Sequence, residues 1–133
     1  MPKSLPEKFF IKEGYVMAIL NAPQAFLADQ LLPLPEGTTT SEQIDNQQYD
    51  VIITFVTTAS ETEHFLQPIR QAMKPGSFVW FCYPKGGSKA ELSTDLNRDI
   101  LAALVSQFGL KPVHQRSIDD TWSGLRFRAE STE

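Results

Sequence analysis

The run Tyr15-Val16-Met17-Ala18-Ile19-Leu20, continued directly by Asn21-Ala22-Pro23-Gln24-Ala25-Phe26, decides how this chain is read. The apolar residues do not alternate with polar ones, which is the pattern of a strand buried on both faces of a parallel sheet. Val51 to Val56 and Phe78 to Tyr83 repeat that pattern. In an open parallel sheet the turn after the first strand is where glycines allow a ligand to approach the backbone. Here that turn reads Asn21-Ala22-Pro23, so the segment that would hold a dinucleotide has been rebuilt.

Working outward, helical segments separate the strands. Ala22 to about Leu32 carries Pro23 in its first turn, where a missing N–H is harmless. Ser60 and Glu63 have capping-box spacing, and Phe65, Leu66, Ile69, Ala72 and Met73 then recur on one face. Pro68 interrupts that face, which predicts a kink or a restart, and Lys74-Pro75-Gly76 predicts the stop. A third helix is expected from about Asp95 to Phe108, ended by Gly109.

Two strands follow, roughly Pro112 to Ile118 and Trp122 to Arg128. The three residues Asp119-Asp120-Thr121 between them are too few for a crossover helix, so this last pair must be an antiparallel hairpin. Thr38 to Ile44 is a weak edge-strand candidate, and residues 1–13 and 129–133 are read as frayed ends. The reading is one α/β domain over 1–133, core about 12–128, with a three-layer, doubly wound, mostly parallel sheet of five to six strands.

Twelve Lys plus Arg against sixteen Asp plus Glu give a net charge of −4, so the molecule as a whole has no field for nucleic acid or an anionic membrane, although a local basic patch stays open. Cys82 has no partner thiol within the chain, which points to a reducing, cytoplasmic setting. The N-terminal residues contain no apolar stretch of signal-peptide or membrane length.

Met73-Lys74-Pro75-Gly76-Ser77-Phe78-Val79-Trp80, Tyr49-Asp50-Val51-Ile52-Ile53 and Phe108-Gly109-Leu110 resemble segments of class I S-adenosylmethionine-dependent methyltransferases. At closer range the chain is similar to a family of short bacterial proteins of unknown function with a truncated fold of that type. Leu20-Asn21-Ala22-Pro23, Tyr83-Pro84-Lys85, Thr94 to Asp99, and Asp119 with Trp122 to Arg128 carry that likeness. The chain departs from the methyltransferase pattern by lacking the Gly-rich loop and a strand–helix unit between Ile44 and Asp50, and from the short family by having Ala25 where that family is expected to favour glycine. Only Glu42 and Asp45 are near the place of the acidic residue that holds a ribose. The resemblance makes S-adenosylmethionine conceivable, but the altered loop disfavours it, and no cofactor is expected.

Ligands sit outside the carboxyl ends of such strands. That edge is expected to gather Asn21, Thr57, Tyr83, Lys85, Asp95, Arg98, Asp119, Trp122 and Arg126 around a mixed-charge pocket for a small anionic ligand or a protein partner. Six of them also have a structural reading. Asn21 suits a turn, Lys85 a solvated loop beside Gly86-Gly87-Ser88, and Asp95 a helix N-terminus. Arg98 suits an ion pair with Asp95 or Asp119, Trp122 suits hairpin packing, and Arg126 suits a stem lying over apolar surface.

His64 and His114 stand apart, so neither a metal site nor a nucleophilic triad is expected. The first expectation is a non-catalytic or regulatory binding domain. The alternative is an enzyme, a divergent methyltransferase or another small-molecule transformation using Tyr83, Lys85 and Asp119 as acid–base groups. The third is a structural role through a homodimer contact.

Overall fold

In this computed structural model, which describes residues 9–23, 34–45, 47–85, 94–119 and 121–129, β1 (Val16–Leu20) lies between two parallel neighbours. These are β2 (Thr39–Ser41) and β3 (Tyr49–Phe55). The chain then forms α1 (Ala59–Ala72), β4 (Met73–Pro84), α2 (Arg98–Ser106), β5 (Leu110–Ser117) and β6 (Trp122–Ala129). The sheet order is β2-β1-β3-β4-β6-β5, parallel through β4 and antiparallel in the last two pairings. The expected sheet and its closing hairpin are both present. The expected helix from Ala22, Ala25 within it, and the Gly86-Gly87-Ser88 loop with Lys89 lie largely or wholly outside the described residues.

Two apolar clusters form, one on each face of the sheet. Ala18, Leu20, Ile52, Val79, Phe81, Leu125 and Phe127 bury against Leu66 and Ile69 of α1 and Leu101 and Val105 of α2. Met17, Ile19, Val51, Ile53, Phe55, Phe78, Trp80 and Cys82 face the other way, against Phe9 and Ile11. Strand residues supply both clusters in alternation, which is why the three runs showed no polar face.

Several expectations are corrected. Residues 9–11 are not frayed: Phe9 is fully buried, and Trp80 Nε1 donates to its carbonyl at 3.1 Å. A buried indole N–H needs a partner, and this segment supplies one while covering the ring. The first helical cap is Thr58, whose hydroxyl accepts from Glu61 N at 3.0 Å, rather than Ser60. α1 runs continuously through Pro68, because Leu66, Ile69 and Ala72 anchor its inner face while Pro68 is exposed. The helix ends at Ala72, so β4 begins at Met73, earlier than Phe78. α2 begins at Arg98, with the Asn97 side chain accepting from Ile100 N at 2.9 Å, so Asp95 precedes that helix.

The connection from β2 to β3 spans only 42–48, in place of a strand–helix unit. Asp45 N donates to the Tyr49 hydroxyl at 3.0 Å, and that hydroxyl donates to Gln43 O at 3.3 Å, which pins the loop to the start of β3. Ile44 packs on the α1 side of the sheet.

Candidate functional site

The expected residues fall into three groups. The first is held together by Glu61, in the first turn of α1. Glu61 Oε1 accepts from Thr57 N at 2.7 Å and from Thr57 Oγ1 at 3.2 Å. Its other oxygen accepts from Asn21 Nδ2 at 3.3 Å. The same amide nitrogen donates to Phe55 O at 2.8 Å, tying the end of β1 to the end of β3. Thr94 Oγ1 donates to Thr57 O at 2.6 Å, and Asp95 Oδ1 accepts from Ala59 N at 2.9 Å. Asp95 therefore caps α1, the helix before the one it precedes in sequence. Glu61 was not singled out in the sequence, because its links to Asn21 and Thr57 require the β1 and β3 ends to meet.

Asn21 has φ +61°, the left-handed region that non-glycine residues rarely enter and asparagine tolerates best. The glycine-free turn thus keeps a glycine-like backbone at its first residue. Its amide side chain is occupied in doing so.

The second group is the hairpin. Asp119 Oδ1 accepts from the backbone N–H of Thr121 and Trp122, each at 2.8 Å, which closes the turn. Lys85 N donates to Thr121 O at 2.8 Å, and Lys85 Nζ donates to Ser117 Oγ at 2.6 Å. Trp122 meets Phe55 edge-on at 4.9 Å, so the hairpin packs against the strand end that Asn21 holds. Tyr83 is buried and its hydroxyl accepts from Gln115 Nε2 at 2.9 Å. Burial is the main cause pushing its pKa up, against the nearby Arg98 charge. The acid–base trio of Tyr83, Lys85 and Asp119 is accordingly tied up in structural contacts. Arg98 makes its ion pair with Asp99 at 3.6 Å, not with Asp95 or Asp119.

Arg126 is the outlier. It pairs with Trp80, four residues along β6 from the hairpin, and its guanidinium lies between the rings of Phe10 (4.5 Å) and Phe78 (4.3 Å). It does not belong to the carboxyl edge, because the strand carries it away from Trp122 toward the amino end of β4.

What the sequence reading missed is a cavity of about 340 Å³ lined by Leu20, Asn21, Glu42, Ile44, His64 and Phe65, among others. Glu42 follows directly on β2, at the carboxyl end of that strand and beside Asn21 at the end of β1. A second cavity of about 400 Å³ shares Ile44 and Pro68 with it and extends along α1 past Gln71. The second lies between the short loop 42–48 and α1, and the first borders the same loop and helix. Among the described residues no group of His, Cys, Asp and Glu could hold a metal ion, and no helix is long and apolar enough to cross a membrane.

The architecture is that of solved methyltransferase structures. The chain is similar to DhpI in its complex with SAH (11% identity, TM-score 0.66, covering 96% of this chain and 81% of that one). It is similar to a SAM-dependent methyltransferase from Aquifex aeolicus (10% identity, TM-score 0.65, covering 91% and 85%). It is also similar to the N-methyltransferase NodS from Bradyrhizobium japonicum (9% identity, TM-score 0.61, covering 90% and 88%). No protein-family model and no curated protein matches the chain. The likeness establishes a methyltransferase-like Rossmann fold.

Proposed function

We propose that this chain is a divergent methyltransferase-type domain that binds S-adenosylmethionine or S-adenosylhomocysteine at the carboxyl ends of β1 and β2. The observation that carries the reading is the position of Glu42, directly after β2 and in one cavity with Asn21. A carboxylate there can accept hydrogen bonds from both hydroxyls of a ribose, as acidic residues do in dinucleotide-binding sheets. Leu20, Ile44 and Phe65 give the same cavity apolar walls for a base or thioether. These residues fit the nucleoside part of the ligand. Asn21 offers less to its polar tail, because its amide already serves Phe55 and Glu61.

When bound, S-adenosylmethionine supplies an electrophilic methyl group. The chain's own contribution is binding and orientation, since Tyr83, Lys85 and Asp119 are engaged elsewhere. Positioning alone suffices for an acceptor that is already nucleophilic. The same engagement favours a second reading, a binding domain that holds the ligand without turning it over. A cytoplasmic setting remains part of the proposal, on the single buried thiol Cys82.

A thermal-shift titration with both ligands tests the site. Ligand at a hundred times its dissociation constant stabilises the fold by about 2.7 kcal/mol. Glu42→Ala should abolish most of that shift while leaving the unliganded Tm unchanged, because Glu42 is exposed. No shift with either ligand at millimolar concentration refutes the proposal. Production of S-adenosylhomocysteine with an acceptor panel separates the enzyme from the binding domain.

A further inference from the structure

We infer that the β5–β6 ribbon is a docking face for the phosphodiester backbone of single-stranded nucleic acid, formed by Lys111, His114, Arg116, Arg126 and Arg128. The face is separate from the carboxyl-edge cavity, and the inference does not rest on the cofactor reading. The register places these residues together: Lys111 is opposite Arg128, His114 opposite Arg126, and Arg116 opposite Gly124. Residues directly opposite share a face, as do residues two apart on one strand. A bulge between Pro112 and His114 shifts the alternation by one, bringing His114 and Arg116 onto the face of Lys111.

The charge is strongly segregated. Four of the chain's twelve Lys and Arg residues lie on this one face, and neither strand contains a carboxylate. Among the described residues, none of the four takes part in an ion pair, although the chain as a whole is acidic. The cations are close enough to feel one another. Burial is the main cause that lowers the Arg126 pKa, and Arg128 and Arg116 add to it.

Arg126 is preorganised for an anion. Phe10 and Phe78 clamp its guanidinium from both sides, which fixes the plane of its donors. Its Nε is buried without a hydrogen-bond partner among the described residues. Its Nη1 donates to His114 Nδ1 at 3.2 Å. Arginine only donates, so this nitrogen of His114 is the acceptor of a neutral ring, and the other carries a proton available to a ligand.

Shape selects the occupant. From Lys111 to Arg116 the ribbon runs about 17 Å, and the four cations spread along its face match a linear polyanion of a few nucleotides. An acidic peptide would gain most by adding a strand to β5, the outermost strand among the described residues, but Pro112 and the bulge break that edge. A membrane surface calls for an apolar anchor, and the exposed large hydrophobic among the described residues, Ile100, lies on α2 against the opposite face of the sheet.

Fluorescence anisotropy with labelled oligouridylate and oligothymidylate of about 12 nucleotides tests the assignment over about 50–200 mM salt. Three to four phosphate contacts give a slope of log K against log salt of about −2 to −3, at about 0.7 per contact. The double variant Arg116→Glu/Arg128→Glu should weaken binding at least about tenfold, and losing two contacts should reduce the slope by about 1.4. Should that variant lose its native circular dichroism, Lys111→Gln/Arg116→Gln, which neutralises the exposed Lys111 and the half-buried Arg116 without reversing either charge, takes its place. Neither variant should alter the thermal shift with S-adenosylmethionine. Absence of binding at the lowest salt overturns the inference, as does binding that the variants leave unchanged. Displacement by a glutamate decamer as effective as by unlabelled oligonucleotide overturns it in favour of an acidic protein partner.

Discussion

Replacing Asn21 separates backbone conformation from side-chain bonding at the turn where β1 ends. Its φ of +61° is a left-handed conformation that costs alanine roughly 1–2 kcal/mol, asparagine less and glycine nothing. Its bond to Phe55 O at 2.8 Å contributes about 1 kcal/mol. The exposed 3.3 Å contact with Glu61 adds little, and Glu61 keeps its 2.7 Å bond from Thr57 N in any variant. Asn21→Gly therefore loses only the hydrogen bond, about 1 kcal/mol, whereas Asn21→Ala also takes on conformational strain and loses about 2 kcal/mol. With an unfolding entropy of about 2.1 cal/mol/K per residue, these losses lower Tm by about 4 and 7 °C in a chain of 133 residues. Differential scanning calorimetry and urea titration at neutral pH measure both. The order is the discriminating result: an alanine variant as stable as the glycine variant would refute the claim that this turn requires a left-handed residue.

Three further outcomes follow from particular contacts. A Cβ at Gly124 would lie 3.1 Å from Cε3 of the fully buried Trp80, so Gly124→Ala should cost about 1–3 kcal/mol in urea denaturation; a neutral effect would mean that Trp80 can yield. Cys82 has its thiol pKa raised, by burial first and by the Asp119 charge second. The folded state therefore retains a proton that the unfolded chain releases above the ordinary thiol range, so this group's contribution to stability is complete below that range and declines as pH rises through it. Native protein should resist a disulfide-exchange reagent at about pH 8 and react at the rate of its opening, and rapid stoichiometric labelling would contradict the buried position. Asp95→Ala should lower stability by about 1 kcal/mol through loss of the bond from Ala59 N, while Asp95→Asn should retain most of it; equal losses would show that charge rather than hydrogen bonding is what α1 requires at that point.

The three apolar runs and the three-residue hairpin loop were sufficient to specify a mostly parallel sheet with an antiparallel end. Burial on both faces removes polar alternation, and a short loop forbids a crossover, so both facts are local to the sequence. The shortage of residues between Ile44 and Asp50 was equally legible. Its consequence was not, because the cavities beside α1 exist only once loop 42–48 is laid against Phe65, Pro68 and Gln71.

Individual side chains divide along the same line. Asn21 and Asp95 were identifiable as turn and cap residues from their types, since short polar side chains satisfy nearby backbone N–H groups, whereas the turn-closing role of Asp119 was not read. That Asp95 caps α1 rather than α2 depends on how the helices pack, a contact across 36 residues. Arg126 was placed with Trp122 by strand alternation, which fixes the face but not the distance along it. Only the pairing with Trp80 and the return of Phe10 over the sheet put it in an aromatic clamp. The basic face of the ribbon depended on one bulge. Strict alternation from Lys111 points to Val113, Gln115 and Ser117, and the bulge substitutes His114 and Arg116. Sequence thus determined the layers of this protein through hydrophobic periodicity, whereas tertiary structure decided its surfaces, because register and long-range contacts choose which polar groups become neighbours.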